Sequence, residues 1–284
     1  MADFTRRNPT DETELMGTVL AVPQNLGKSP RAVIALVHGF GEHVGRYRPF
    51  ATELEARGFA VIGLDLHGHG RTNGARGRCD SYERLREDVD MLLWEARERF
   101  PEMPVILYGH SMGGGLVLDH VLHRGGFVRE SQKLAGVVVS APLLEAVDAP
   151  PGIALSVLRL IRRFAPGFAL RQPITGTKIS SVPEERAAYE SDPLVHNRLG
   201  VGLGLDMLAS GKRSLGRAAE FPLPLLLMHA RDDELTSFAA SERFAEAAPD
   251  CNFIPLEGVA HEIHNDTSRA RVADEVSKFA ERLK

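Results

Sequence analysis

The 284-residue chain is 43% hydrophobic and 25% charged, the balance of a globular protein that can bury a core without disulfides or metals. Its net charge of −4 argues against a nucleic-acid role, which needs a basic surface to displace counterions, although a local basic patch is compatible with it; no nucleic-acid partner is expected. Cys79 and Cys251, the two cysteines, read as free thiols of a cytoplasmic protein.

Residues 1–24 are polar, with Arg6, Arg7, Asp11, Glu12 and Glu14 and none of the apolar stretch of a secretory signal. No apolar run approaches the roughly 20 residues needed to cross a bilayer, so membrane contact is expected to be peripheral at most. Short apolar runs then recur along the chain. Residues 32–37 run into His38-Gly39, 60–64 into Asp65, 105–107 into Tyr108-Gly109, 136–139 into Ser140, 225–228 into His229 and 252–256 into Glu257. Continuous apolar runs fit strands buried on both faces. Helical spacing fills the intervals at 48–57, 81–100, 112–124, 237–248 and 267–283. Alternating strands and helices predict an α/β fold, a mostly parallel central sheet with helices on both faces, and chemistry at the carboxyl ends of its strands. Between Pro142 and Leu223 no buried strand is evident and the interval is too long for a loop. It is expected to be a helical cap, residues 142–223, inserted into a core made of 1–141 and 224–284.

Gly109-His110-Ser111-Met112-Gly113 carries Gly-x-Ser-x-Gly directly between a strand and a helix. That context forces a sharp turn, lifts the serine hydroxyl above the sheet and aims a helix amino terminus at the same point. Ser111 is therefore the candidate nucleophile. Two N–H donors are needed for an oxyanion. Met112 supplies one, and Phe40, flanked by Gly39 and Gly41 after an earlier strand, supplies the other. Serine also needs an oriented base, and in this fold the chain order is Ser, acid, His. His120 and His123 lie in the helix after Ser111, His196 in the insertion, and His229 precedes the acidic cluster. His261 follows the last strand and is the candidate base, with His264 a weaker alternative. His261 and His264 are three apart, which excludes the His-Glu-x-x-His zinc pattern. Asp232 and Asp233 both qualify as the acid, with Asp233 preferred from the turn. No metal or organic cofactor is required.

The chain resembles the monoacylglycerol lipases of the α/β-hydrolase superfamily. The likeness rests on His38-Gly39-Phe40-Gly41-Glu42-His43 with Arg46-Tyr47, on Asp65 with Gly68-His69-Gly70, and on Arg76-Gly77. It continues through Gly109 to Gly115, Ser140-Ala141-Pro142 and Tyr189 with Asp192-Pro193-Leu194, and runs from about residue 30 onward. The resemblance implies a triad of Ser111, Asp233 and His261, oxyanion donors at Phe40 and Met112, and hydrolysis of a monoacylglycerol. Glu42 and Arg46 would brace the oxyanion loop at the substrate site, and Tyr189 would face the glycerol end. A lysophospholipase or short-chain carboxylesterase with the same triad is the alternative, and a catalytically silent binding module a further one. Thr72, Ala230 and Phe40 depart from the family pattern, and Thr236 stands where mammalian members carry cysteine. Within the cap, Ile153, Val157, Leu160, Ile161 and Phe164 recur at helical spacing beside Arg159, Arg162 and Arg163. Such a basic amphipathic helix either docks on lipid or packs on the core.

Overall fold

A computed structural model describes residues 2–23, 29–125 and 134–283; Met1 and Gln24, the ends of the polar amino-terminal stretch, lie outside them. Six strands correspond to the apolar runs: β3 (Ala32–Val37), β4 (Phe59–Leu64), β5 (Val105–His110), β6 (Leu134–Ser140), β9 (Leu225–Ala230) and β10 (Cys251–Leu256). They pair in parallel, in the order β4-β3-β5-β6-β9-β10. Every residue of β3, β4, β5 and β9 is buried, because helices cover both faces. Alternate side chains of β3 serve opposite layers. Val33, Ala35 and Val37 pack with α2 (Tyr82–Arg99) and α3 (Met112–Arg124). Ala32, Ile34 and Leu36 pack with α1 (Arg48–Ala56) and the carboxyl-terminal helix, Arg269–Arg282.

The sheet is wider than the apolar runs indicate. Residues Ala2–Arg7 form β1 and Glu14–Ala21 form β2, antiparallel to each other and to β4. The run-based reading misses them because β1 is an edge strand in which only Phe4 is buried. Strands β5 and β9 also continue past their apolar runs, to His110 and Ala230. Their polar side chains are satisfied internally, as where the Tyr108 hydroxyl donates to Ser140 Oγ at 2.9 Å.

Between β6 and β9 the chain forms α4 (Gly152–Phe164), β7 (Ala169–Arg171), α5 (Gly176–Ile179), α6 (Pro183–Ser191), β8 (Arg198–Gly200) and α7 (Val201–Gly216). The expected all-helical character is modified by the antiparallel pair β7–β8. Helix α7 packs on α3 and buries Leu203 and Met207 in the core. Helix α4 buries no residue. The remaining α-helices among the described residues are α8 (Phe238–Ala247) and α9 (Arg269–Arg282).

Register aligns the carboxyl ends of the parallel strands. Val37 faces Gly109, His110 faces Ser140, Ser140 faces Met228, and Ala230 faces Leu256. The loops bearing Phe40, Ser111, Asp233 and His261 therefore leave the sheet on one side, as required where chemistry gathers at strand ends.

Candidate active site

Ser111 sits between β5 and α3 with φ 53° and ψ −118°, a backbone geometry that costs a non-glycine residue energy and persists only where the surroundings impose it. Here they do. Ser111 N–H donates to Ser140 O at 3.0 Å, and its carbonyl accepts from Gly115 and Leu143 N–H at 3.0 and 2.9 Å. The flanking glycines are sterically required. A Cβ at Gly109 would lie 2.5 Å from Gly113 O, and one at Gly113 would lie 2.4 Å from the carbonyls of both Val37 and His38.

The loop after β3 is held from beneath by Glu42. Its Oε1 accepts from Gly39 N–H at 2.6 Å and from the Tyr47 hydroxyl at 2.7 Å. Among the described residues, the N–H groups of Phe40 and Met112 donate to no protein acceptor, which leaves them available to a ligand. The Phe40 ring turns edge-on to His69 and His196, 5.8 and 5.7 Å between centroids. The segment between β6 and β9 straps this loop down: His196 N–H donates to Gly41 O at 2.8 Å, and His43 Nε2 lies 2.8 Å from Asp192 Oδ2.

His261 Nδ1 lies 2.6 Å from Asp233 Oδ2. Asp233 Oδ1 accepts from Leu235 and Thr236 N–H at 2.7 and 3.1 Å, so the carboxylate is fixed by its own turn. Asp232 is exposed to solvent. Burial alone would lower the basicity of His261, but the Asp233 charge and hydrogen bond, aided by Glu262 and Glu42, raise it above the ordinary imidazole value. Burial likewise opposes ionisation of Asp233, and the charge of His261 with hydrogen bonds from His229 and His261 overcomes it, holding the carboxyl far below its usual range. His264 is buried and stacked on Tyr47 at 4.4 Å. Ser111 and His261 line one cavity without a direct hydrogen bond between them. Such bonds are often long before substrate binds.

That cavity has a volume of about 270 Å³. Apolar side chains dominate its wall, among them Phe40, Leu143, Ile179, Leu199, Val201, Leu205, Leu208 and Leu235. The polar groups on it include Glu42, Lys178, Tyr189 and Glu262. Most of the apolar wall comes from the segment between β6 and β9.

A family model described as "Serine aminopeptidase, S33" matches residues 28–268. The monoacylglycerol lipase of Mycolicibacterium smegmatis is 32% identical over 253 residues, covering 88% of each chain. The chain belongs to the monoacylglycerol lipase family of α/β-hydrolases. The crystal structure of Paleococcus ferrophilus monoacylglycerol lipase matches with a TM-score of 0.81 at 28% identity, covering 95% of this chain and 100% of that one. A soluble variant of monoglyceride lipase from Saccharomyces cerevisiae, solved with a substrate analogue, shares the fold at TM-score 0.84 and 21% identity, covering 100% of this chain and 96% of that one.

The family's motif residues take different places around the cavity. Tyr189 and Glu42 line it, whereas Arg46 is not among its lining residues and lies behind them. The Tyr189 ring covers the Arg46 guanidinium at 4.9 Å, and Arg46 Nη2 bonds Glu262 Oε2 at 2.6 Å. Arg46 Nε is 3.4 Å from Glu42 Oε2. Burial and the nearby Glu262 charge push Glu42 up to about 7, against the pull of Arg46. Arg46 thus ties the loop after β3 to the loop of His261. Sequence reading missed Glu262 here, and adjacency to His261 was the signal available. It also set aside His229, which the fold brings against Asp233. Thr236 is buried, its hydroxyl 3.0 Å from Asp233 Oδ2 and 3.1 Å from Ala141 O.

Proposed function

We propose that this chain hydrolyses monoacylglycerols to glycerol and free fatty acid through an acyl-enzyme on Ser111. The observation that carries the reading is the short His261–Asp233 contact, 2.6 Å, on a cavity that also exposes the strained Ser111. Neutral His261 takes the Ser111 proton as Oγ attacks the acyl carbonyl, and the Phe40 and Met112 N–H groups receive the oxyanion. Imidazolium at His261, stabilised by Asp233, then protonates the leaving glycerol oxygen. Water enters, His261 removes its proton, and the hydroxide so formed attacks the acyl carbon. Collapse of the second tetrahedral intermediate releases the fatty acid and returns the proton to Ser111.

The apolar wall accommodates the acyl chain, while Tyr189 and Glu42 face the glycerol hydroxyls and Arg46 braces them from behind. An aminopeptidase reading of the same family is less well supported. The buried carboxylates on the wall, Glu42 and Glu262, both lie against Arg46, and the other two, Asp148 and Glu234, are exposed to solvent.

Residues 142–223 serve as the cap over a core of 1–141 and 224–284. No helix of the described residues is long and apolar enough to cross a membrane. Instead, Ile153, Val157, Leu160 and Phe164 of α4 are 83%, 52%, 58% and 76% exposed. This stripe docks the cap on a micelle or membrane surface, from which a monoester reaches the cavity. The test is initial rates on monoacylglycerol, diacylglycerol, triacylglycerol, lysophosphatidylcholine and a short-chain ester. Monoacylglycerol is expected to be fastest, and Ser111→Ala to lose roughly 10⁴-fold or more. A faster lysophospholipid or short ester would replace the substrate assignment; full activity of Ser111→Ala would remove the mechanism.

A further inference from the structure

Asp233 holds two histidines, and only one of them faces the cavity. His229, the penultimate residue of β9, is fully buried and places Nε2 at 3.1 Å from Asp233 Oδ2, the oxygen that also receives His261 Nδ1. Its Nδ1 lies 2.7 Å from the hydroxyl of Ser241 on α8. These two partners determine where the His229 proton sits. An ionised carboxylate only accepts, whereas a hydroxyl can donate or accept. A proton on Nδ1 alone would turn the Nε2 lone pair toward a carboxylate. The proton therefore belongs on Nε2, and Ser241 donates to Nδ1. The Phe238 ring, edge-on at 5.7 Å, closes the remaining side.

We propose that His229 is a positioning residue for the hydrolysis: its Nε2–H fixes Asp233 Oδ2 and shares its charge with His261. This inference rests on Asp233 being the triad acid. The turn amides of Leu235 and Thr236 hold Oδ1 but leave Oδ2 free to move about that anchor. Thr236 can assist only in part, because its one hydroxyl proton is contested by Ala141 O at 3.1 Å and Asp233 Oδ2 at 3.0 Å. His229 has no competing acceptor of comparable strength; Thr236 Oγ1 is 3.3 Å away. A carboxylate held at both oxygens keeps the imidazole of His261 in one orientation while it gains and loses a proton. An apolar side chain of similar size would fill the same space without doing this.

The experiment compares wild type, His229→Leu, His229→Gln, Ser241→Ala and Asp233→Asn on a water-soluble short-chain ester. It reads kcat and KM separately, the acidic limb of kcat/KM, and the low-field proton resonance of His261 Nδ1–H. His229→Leu is expected to lose roughly ten- to hundredfold in kcat, the scale of one hydrogen bond to a charged group, with KM retained. Its acidic limb moves upward, because an unshared Asp233 charge stabilises the His261 imidazolium more strongly. The other charged groups near His261 include Glu262, Glu42, Arg46 and Lys178, whose carbonyl accepts from His261 N–H, with the neutral rings of His110 and His264 beside it, and all are unchanged in the variant. The Gln amide N–H can reach the Nε2 position, so His229→Gln should recover most of the rate.

A folded His229→Leu with wild-type kcat and acidic limb overturns the proposal, and so does His229→Gln no better than His229→Leu. If the Leu variant does not fold, Ser241→Ala decides. Displacement of its low-field resonance and acidic limb supports the role, and wild-type values for both overturn it. Full activity of Asp233→Asn would instead remove the triad acid itself. An inactive Asp233→Asn beside an unaffected His229→Leu removes only the role of His229.

Discussion

Helices α3 and α4 are each 13 residues long and both carry apolar side chains at helical spacing, yet they meet opposite fates. Every residue of α3 from Met112 to Leu122 is buried, whereas α4 buries none. The sheet, α2 and α7 enclose α3. Helix α4 touches α7 through one side only, with Leu155, Leu158 and Ile161 half-buried and Arg162 bonded to Asp206 at 2.6 and 3.1 Å. Its outer stripe of Ile153, Val157, Leu160 and Phe164 faces solvent. Periodicity says that a helix has an apolar face; it does not say what covers that face. In α3 the cover is protein, and it fixes Ser111 at the helix start. In α4 no described residue covers the stripe, so only part of the roughly 1.5–3 kcal/mol that full burial of each such side chain contributes is realised.

Truncating one leucine in each helix should separate these roles most clearly. Leu116 is fully buried, so Leu116→Ala should destabilise by about 2–5 kcal/mol through lost transfer energy and a residual cavity. Leu160 is 58% exposed, and Leu160→Ala should stay within about 0.5 kcal/mol of wild type. Urea unfolding of the two variants checks this. Equal losses would mean that α4 is buried in solution and that the contrast is false.

The same contrast decides what can be read from the amino-acid sequence. Strands β3, β5 and β9 were legible because burial on both faces demands unbroken apolar runs. β1 was not, since an edge strand with a single buried residue, Phe4, leaves no such run. Within the site, Ser111 announced itself by local sterics: Gly109 and Gly113 have no room for a Cβ. His261 was reached from chain order and its place after the last strand, whereas Asp232 and Asp233 stayed open until the fold brought Asp233 against His261. The Arg46–Glu262 bond and the His229–Asp233 contact were invisible, although His229 is only four residues from Asp233. Whether a strand-end side chain turns toward the following loop or away from it depends on the sheet's register. The face of α4 was likewise undecidable, because packing on protein and waiting for lipid require the same spacing.

Replacing the outer stripe sharpens the comparison from the side of function. Ile153→Ser combined with Val157→Ser removes side chains that are 83% and 52% exposed. Adsorption to phospholipid vesicles and activity on micellar monoacylglycerol should each fall about tenfold or more. The rate on a soluble short ester and the unfolding midpoint should not change. Vesicle binding and micellar activity both unaltered in a folded variant would end the docking role of α4.

A change of pH acts on one region and spares the other. The base must be neutral to accept the Ser111 proton, and His261 is raised above the ordinary imidazole value by the Asp233 charge and hydrogen bond, which outweigh burial. Activity should therefore be full at high pH and fall to half at a pH somewhat above the unperturbed ~6.5. Adsorption through the uncharged stripe of α4 should be flat over the same interval. A rate profile level down to pH 4 would contradict the role of His261.

The smallest effect expected is that of thiol reagents, which should leave activity unchanged. Neither cysteine lies on α3 or α4. Burial, with Asp88 nearby, pushes the Cys79 thiol up to about 12, and burial with Asp250 does the same for Cys251. Only the thiolate reacts, so little of either is available at neutral pH. Beside Asp233, where a thiol would be closest to the chemistry, the chain has Thr236, whose hydroxyl bonds the carboxylate and the Ala141 carbonyl. N-ethylmaleimide should therefore spare both the soluble-ester rate and vesicle adsorption. Inactivation at a rate that tracks labelling of the half-buried Cys79 would overturn this expectation.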